Sequence, residues 1–80
     1  MHEFKIAQNV LKIVLKEAEK KNLSKISTIR VEIGNLNNLT EDALQFGFDH
    51  ISTGTIAENA KIEMKEIEGT IISIKDFDGE

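Results

Sequence analysis

The chain has 80 residues, no cysteine and a net charge of −4, with 40% apolar and 30% charged residues. This length predicts a single domain over residues 1–80, and the composition is ordinary for a soluble globular protein. The absence of cysteine excludes disulfides and thiolate zinc sites. No apolar run approaches the roughly 20 residues that cross a bilayer, and the amino end lacks the pattern of a signal peptide. We therefore expect a cytoplasmic protein with no membrane contact.

The charge pattern argues against nucleic-acid binding. A nucleic-acid interface normally combines a basic face with aromatic side chains for stacking. Here the lysines are scattered along the chain, and four phenylalanines are the only aromatic residues. The mild acidity suits a cation or a basic partner surface better.

Two elements are predicted in the first half of the chain. Apolar residues at helical spacing predict a helix from Phe4 to about Lys21. Its buried side is expected to carry Ile6, Val10, Ile13 and Val14. After a polar loop, strict alternation of apolar and charged residues predicts a half-buried strand over residues 28–34.

Three elements follow in the second half. Thr40 is a good cap for a helix ending near residues 52–54, and Glu41 and Asp42 occupy its first turn, where the helix dipole favours acids. Residues 60–67 and 70–77 predict two strands, and the short connection between them predicts a hairpin. The last three residues are expected to be frayed. The order helix-strand-helix-strand-strand predicts an α+β fold with two helices on one face of a three-stranded sheet.

Sequence signatures of catalysis are missing. The chain has no cysteine nucleophile, and its five isolated glycines match neither nucleotide-binding fingerprint. Its two histidines lie in no local signature of a catalytic triad. The sequence therefore does not indicate an enzyme.

The amino-terminal residues carry the candidate chemistry. The Met1 amine, the deprotonated His2 amide and the His2 imidazole can close two fused chelate rings in nearly one plane. Square-planar nitrogen donors select Ni(II) or Cu(II), whereas Zn(II) prefers a tetrahedral set. A fourth donor could be Glu3, through its amide or carboxylate, or an acid near Glu41 and Asp42. The alternative is that a histidine at position 2 is an ordinary terminal residue.

His50 is the second histidine and is predicted near the end of the second helix. The helix dipole favours a partly cationic imidazole there. We interpret His50 as a cap-like or partner-contacting residue in preference to a metal ligand, and the ligand role stays open.

Several segments together resemble the HypA/HybF family of hydrogenase nickel-incorporation proteins. They are the opening MHE, the strand and turn IRVEIGNLNNL, and FGFDHISTGTIAENAKIEM, so the likeness runs from Met1 to about Ile67. The closing TIISIKDFD is similar to the family's last strand. The resemblance implies a metallochaperone that delivers Ni(II), with a GTPase partner, to the large subunit of nickel–iron hydrogenase in hydrogenase maturation. Some members also serve urease.

The resemblance also implies a ligand set. His2 would supply its imidazole and amide, Met1 its amine, and Glu3 would contribute to the nickel site and its support. The acidic loop ligand of some members falls near Thr40, so Glu41 or Asp42 would have to substitute for it.

One departure from the family pattern is large. Members carry a zinc-ribbon-like module with two CxxC pairs between the last two strands, whereas Glu68-Gly69 occupies that place here, at about residues 67–70. We therefore expect nickel binding without zinc. The alternative is a zinc-less protein-interaction or dimerisation module that has lost metal delivery. Exposed strand edges could promote a homodimer in either case.

Overall fold

The computed structural model describes the backbone from His2 to Glu80 and the side chains from Phe4 onward. Its elements are α1 (His2–Lys20), β1 (Ile26–Gly34), a 3-10 turn (Asn35–Asn37), α2 (Glu41–Ile51), β2 (Lys61–Ile67) and β3 (Ile72–Gly79). The predicted element order and the α+β class are confirmed. No helix in the described part of the chain is long and apolar enough to cross a membrane.

Polar residues explain where α2 begins and where α1 ends. The α2 cap is Thr40, as predicted, and its hydroxyl oxygen accepts a hydrogen bond of 3.1 Å from the Ala43 amide. After α1, Asn22 adopts a left-handed conformation with φ 56°. The Leu23 amide then donates back to the Ala18 carbonyl at 3.0 Å, which satisfies a carbonyl that the helix leaves free.

The sheet has the strand order β2-β1-β3, with β1 parallel to β2 and antiparallel to β3. The predicted hairpin between the last two strands is therefore wrong, because these strands lie on opposite sides of β1. The central position suits β1. Its side chains Ile29, Val31 and Ile33 are all buried, and a central strand is flanked by a neighbouring strand on each side.

The connection from β2 to β3 crosses over the end of β1 at Gly34. A Cβ atom on Gly34 would lie 2.2 Å from the Gly69 carbonyl oxygen, so the crossing requires glycine there. The 3-10 turn holds the crossing chain. Asn35 accepts a hydrogen bond of 3.0 Å from the Gly69 amide, and the Asn37 side chain donates to the Thr70 carbonyl at 3.2 Å.

The core lies between the helices and one face of the sheet. It joins apolar residues of both helices, β1, β2 and the loop before β2, with Phe48 its largest fully buried side chain. Ile13 was expected to be buried, but it is 50% exposed. It lines a groove of about 450 Å³ between α1 and β3, because the helix leaves space above Ile72 and Ile74.

The carboxyl-terminal residues are ordered, which corrects the expectation that they are frayed. The Glu80 carbonyl accepts hydrogen bonds from the Ser24 and Lys25 amides at 2.7 and 3.0 Å, and the Glu80 amide returns one to Lys25. Asp78 also accepts a 2.7 Å hydrogen bond from Arg30. The loop after α1 therefore supplies partners that local sequence could not reveal.

Candidate metal centre

The predicted metal-binding terminus lies at the beginning of α1. Met1 and the side chains of His2 and Glu3 lie outside the described residues, while the backbone of His2 and Glu3 is helical. The first four amides of an α-helix have no acceptor within the helix. A metal that binds the His2 or Glu3 amide nitrogen therefore replaces no helical hydrogen bond.

His50 lies beside the first turn of α1. Its ring contacts Phe4 edge to face, with centroids 5.8 Å apart and planes inclined at 72°. The Phe46 ring is also near the His50 ring, with centroids 6.3 Å apart and planes inclined at 30°. The C-cap of α2 is Ser52, whose amide donates to the Phe48 carbonyl. His50 therefore occupies the last turn, as predicted, but its ring packs against aromatic rings and Ser52 is the cap.

The two acids suggested as a further ligand lie in the first turn of α2. The Glu41 carboxylate accepts a hydrogen bond of 2.7 Å from the Met64 amide, so it is engaged with the edge of β2. Asp42 is exposed. Among the described residues, no group of three or more His, Asp and Glu side chains could hold a metal ion. A complete ligand set in this chain therefore needs donors from the first three residues.

A cluster of charged side chains lies on the sheet face opposite the helices. Arg30 forms ion pairs with Asp76 and Asp78, and its Nη1 lies 3.8 Å from a Glu63 carboxylate oxygen. Hydrogen bonds from Arg30 lower the pKa of Asp78, and hydrogen bonds to Asp78 and Asp76 raise the pKa of Arg30. The guanidinium occupies the space between the carboxylates, which indicates cross-strand stabilisation and not a cation site.

Comparison with known proteins places these features in a family context. A family model described as hydrogenase/urease nickel incorporation, metallochaperone, hypA matches residues 1–73. Hydrogenase maturation factor HypA 2 of Bradyrhizobium diazoefficiens is 39% identical over 70 residues, which are 88% of this chain and 62% of that protein. Hydrogenase maturation factor HypA of Nostoc sp. is 45% identical over 69 residues, covering 86% of this chain and 58% of the relative.

A solved structure shares the fold. The solution structure of the Ni metallochaperone HypA from Helicobacter pylori matches with a TM-score of 0.70 at 14% sequence identity. The match covers 95% of this chain and 72% of that one. The chain spans only 62% and 61% of the first two curated relatives.

One feature of the candidate centre was not predicted from the sequence. The contact between Phe4 and His50 joins residues from different helices, and no local pattern signals it. The sequence gives only the residue types, four phenylalanines and two histidines, and these counts do not identify which rings are in contact.

Proposed function

The chain belongs to the HypA family of nickel-incorporation metallochaperones, and from that premise we propose that it binds Ni(II) at its amino end for hydrogenase maturation. The proposed ligands are the Met1 amine and the His2 amide and imidazole, with Glu3 contributing to the site. Nickel is the cargo of this protein, held until an acceptor takes it.

The family match over residues 1–73 carries this proposal, because it includes the MHE terminus. Two chemical arguments support it. The three nitrogen donors form a planar set that suits Ni(II), and the amides at the start of α1 make no helical hydrogen bonds that binding would break.

The proposed partners are a maturation GTPase and the large subunit of nickel–iron hydrogenase, with urease as a further acceptor. The relatives are hydrogenase maturation factors, and the family model names hydrogenase and urease, which supports a role in the maturation of these enzymes. The family model and the solved neighbour are both described as metallochaperones. The match along nearly the whole chain does not favour the alternative of an interaction module that has lost metal delivery.

We also propose that this domain works without zinc, with the family's zinc module absent at about residues 67–70. The sequence contains no cysteine to form such a module. The short connection that takes its place is held by Asn35 and Asn37 through hydrogen bonds to Gly69 and Thr70. The sheet therefore needs no inserted module to complete its crossing.

A nickel titration tests the proposal. Protein with a free amino end should develop the absorption band of square-planar Ni(II), whereas acetylation of the amine or His2→Ala should abolish it. Binding should weaken as the pH falls through the ordinary pKa ranges of the amine and imidazole, about 8 and 6.5, because the ligands must lose protons.

Lys12→Ala is the matched control, since it alters an exposed residue of the same helix and should leave the band unchanged. An unchanged nickel affinity in both the acetylated protein and His2→Ala would refute the proposed site.

A further inference from the structure

We propose that the outer edge of β3 pairs with the same edge of a second copy of this chain, in a two-fold symmetric dimer that joins the two three-stranded sheets into one. In the proposed register, Lys75 of each copy lies opposite Asp76 of the other. The contact uses no residue of the proposed nickel site, so it is tested separately, without metal.

The two outer strands of the sheet differ in how their edges are covered. On β2, the amides of Ile62 and Met64 each donate a hydrogen bond of 2.7 Å to a side chain of α2. Within the described part of the chain, side-chain hydrogen bonds of α1 stay on the helix, as from Lys20 to Glu17, and none reaches β3. Unpaired strand edges are templates for another strand. The available edge is therefore that of β3.

The backbone of β3 presents alternate residues to this edge. The Ile71 carbonyl accepts a hydrogen bond of 2.7 Å from the Gly34 amide, so the backbone groups of Ile71 face β1. Backbone groups alternate in direction along an antiparallel strand. Those of Ile72 and Ile74 therefore face away from β1, where a second strand could pair with them.

A bulge in β3 determines which of its side chains share a face. The register with β1 shifts between Ile74 and Asp76, so Lys75 is an extra residue. Ile74 and Phe77 lie beside α1 on the helical face. Asp76 forms an ion pair with Arg30 on the opposite face, and Lys75 lies beside Arg30 there.

These faces select one register for self-pairing. Opposite residues of an antiparallel pair lie on the same face of the sheet. Pairing Ile74 with Phe77 of the copy satisfies this rule and also places Lys75 opposite Asp76. A shift by one residue would place Ile74 opposite Asp76 or Asp78 and mix the two faces. In the selected register the bulge of one copy matches the bulge of the other, so the pairing stays in step.

Both charge and apolar contact favour this arrangement. The two-fold symmetry gives two attractive pairs of Lys75 with Asp76, and two pairs of Ile74 with Phe77, on opposite faces. Ile13 and Ile72 line the groove beside the edge and are 50% and 40% exposed, so they gain cover from the copy. The net charge of −4 on each chain opposes association. We therefore expect a concentration-dependent dimer.

Analytical ultracentrifugation in buffer with a chelator tests the proposal. The mass should rise with concentration from 9.0 kDa toward twice that value. Lys75→Glu places an acid opposite Asp76 in both pairs and should raise the dissociation constant roughly 10-fold or more. Lys65→Glu is the matched control, because it makes the same charge change at an exposed residue of β2 and should leave the dissociation constant unchanged.

A mixture of two variants tests the register. Asp76→Lys alone places lysine opposite Lys75 in both pairs and should weaken the dimer as Lys75→Glu does. When the two variants are mixed, each pair again contains one acid and one lysine, so the mixed dimer should regain the parent affinity. Circular dichroism verifies that Asp76→Lys folds, since this variant also loses an ion pair with Arg30.

Hydrogen exchange of the unmodified chain gives a test that needs no substitution. The amides of Ile72 and Ile74 should exchange more slowly as the concentration rises, because pairing gives them acceptors. The amides of Ile62 and Met64 already donate to α2 and should show no dependence on concentration.

The outcomes either support or overturn the dimer. A mass of 9.0 kDa at every concentration would overturn it and leave the edge free for a strand of another protein. Equal effects of Lys75→Glu and Lys65→Glu, or none from either, would exclude the proposed contact. A dimer whose exchange protection appears on β2 and not on β3 would contradict it as well.

Discussion

The two halves of the helical layer are attached to the sheet in different ways. Over β2, Gln45 of α2 accepts a hydrogen bond of 2.7 Å from the Ile62 amide and donates one of 3.1 Å to the Ala60 carbonyl. Glu41 adds the bond to Met64 described above. Over β3, by contrast, α1 leaves a groove in which Ile13 is half exposed.

This difference shows where the fold obtains its specificity. Side chains of α2 satisfy backbone groups along the outer edge of β2, so α2 is fixed in both position and register. The outer edge of α1 has only loose apolar cover against β3. Phe4 of α1 contacts His50, so α2 helps to position the amino end of the helix that carries the candidate nickel ligands.

The largest expected difference between the halves comes from truncating one apolar residue in each. Phe48→Ala should lower the free energy of unfolding by about 3–5 kcal/mol, because Phe48 is fully buried. Ile13→Ala should cost less than about 1 kcal/mol, because half of its surface already faces water. Urea unfolding of both variants measures the contrast, and equal losses would show that the groove does not distinguish the halves.

A smaller effect is expected from the hydrogen bonds that only the α2 half possesses. Gln45→Leu keeps a similar volume but leaves the Ile62 amide and Ala60 carbonyl without these partners. The free energy of unfolding should fall by about 1–3 kcal/mol, the usual cost of an unsatisfied buried polar group. Lys16→Leu on α1 is the control, and thermal melting that ranks it below Gln45→Leu would contradict the prediction.

The smallest effect should appear at the far end of β3. Because Arg30 lowers the pKa of Asp78 in the folded chain, their ion pair stabilises the fold above the ordinary carboxyl pKa of about 4. This stabilisation is lost as the pH falls through the lowered folded-state pKa. Asp78→Asn should therefore flatten the acid side of a melting-temperature profile, only slightly because the pair is exposed. Glu58→Gln should leave the profile unchanged.

Local sequence was sufficient where structure depends on neighbours in the chain. The alternation in β1 predicted its buried face, and Thr40 with its following acids predicted the start of α2. The hairpin was wrong because a strand pattern does not identify its pairing partner, and the apolar character of β1 gave it the central place. Ile13 was misplaced because helical spacing defines a face but not how closely another layer approaches it.

The candidate site also has one part that depends on neighbours in the chain and one part that depends on packing. The chelate of Met1 and His2 follows from adjacent residues, so the sequence alone could suggest it, and the family match supports it. The position of His50 depends on how α1 packs against α2, which no spacing rule encodes. The sequence places His50 near a helix end, but only the packing of the two helices brings its ring to Phe4.

The crossing above Gly34 has a consequence for how this fold varies in length. Chain entropy penalises a longer connection only weakly, by about 0.6 kcal/mol for each doubling. The two edge strands it joins lie about 10 Å apart, two strand spacings, and additional residues can span that gap easily. A single Cβ on Gly34, however, would collide with the backbone above it. A connection that can lengthen at little cost thus lies directly over a residue that cannot be replaced without moving the backbone above it.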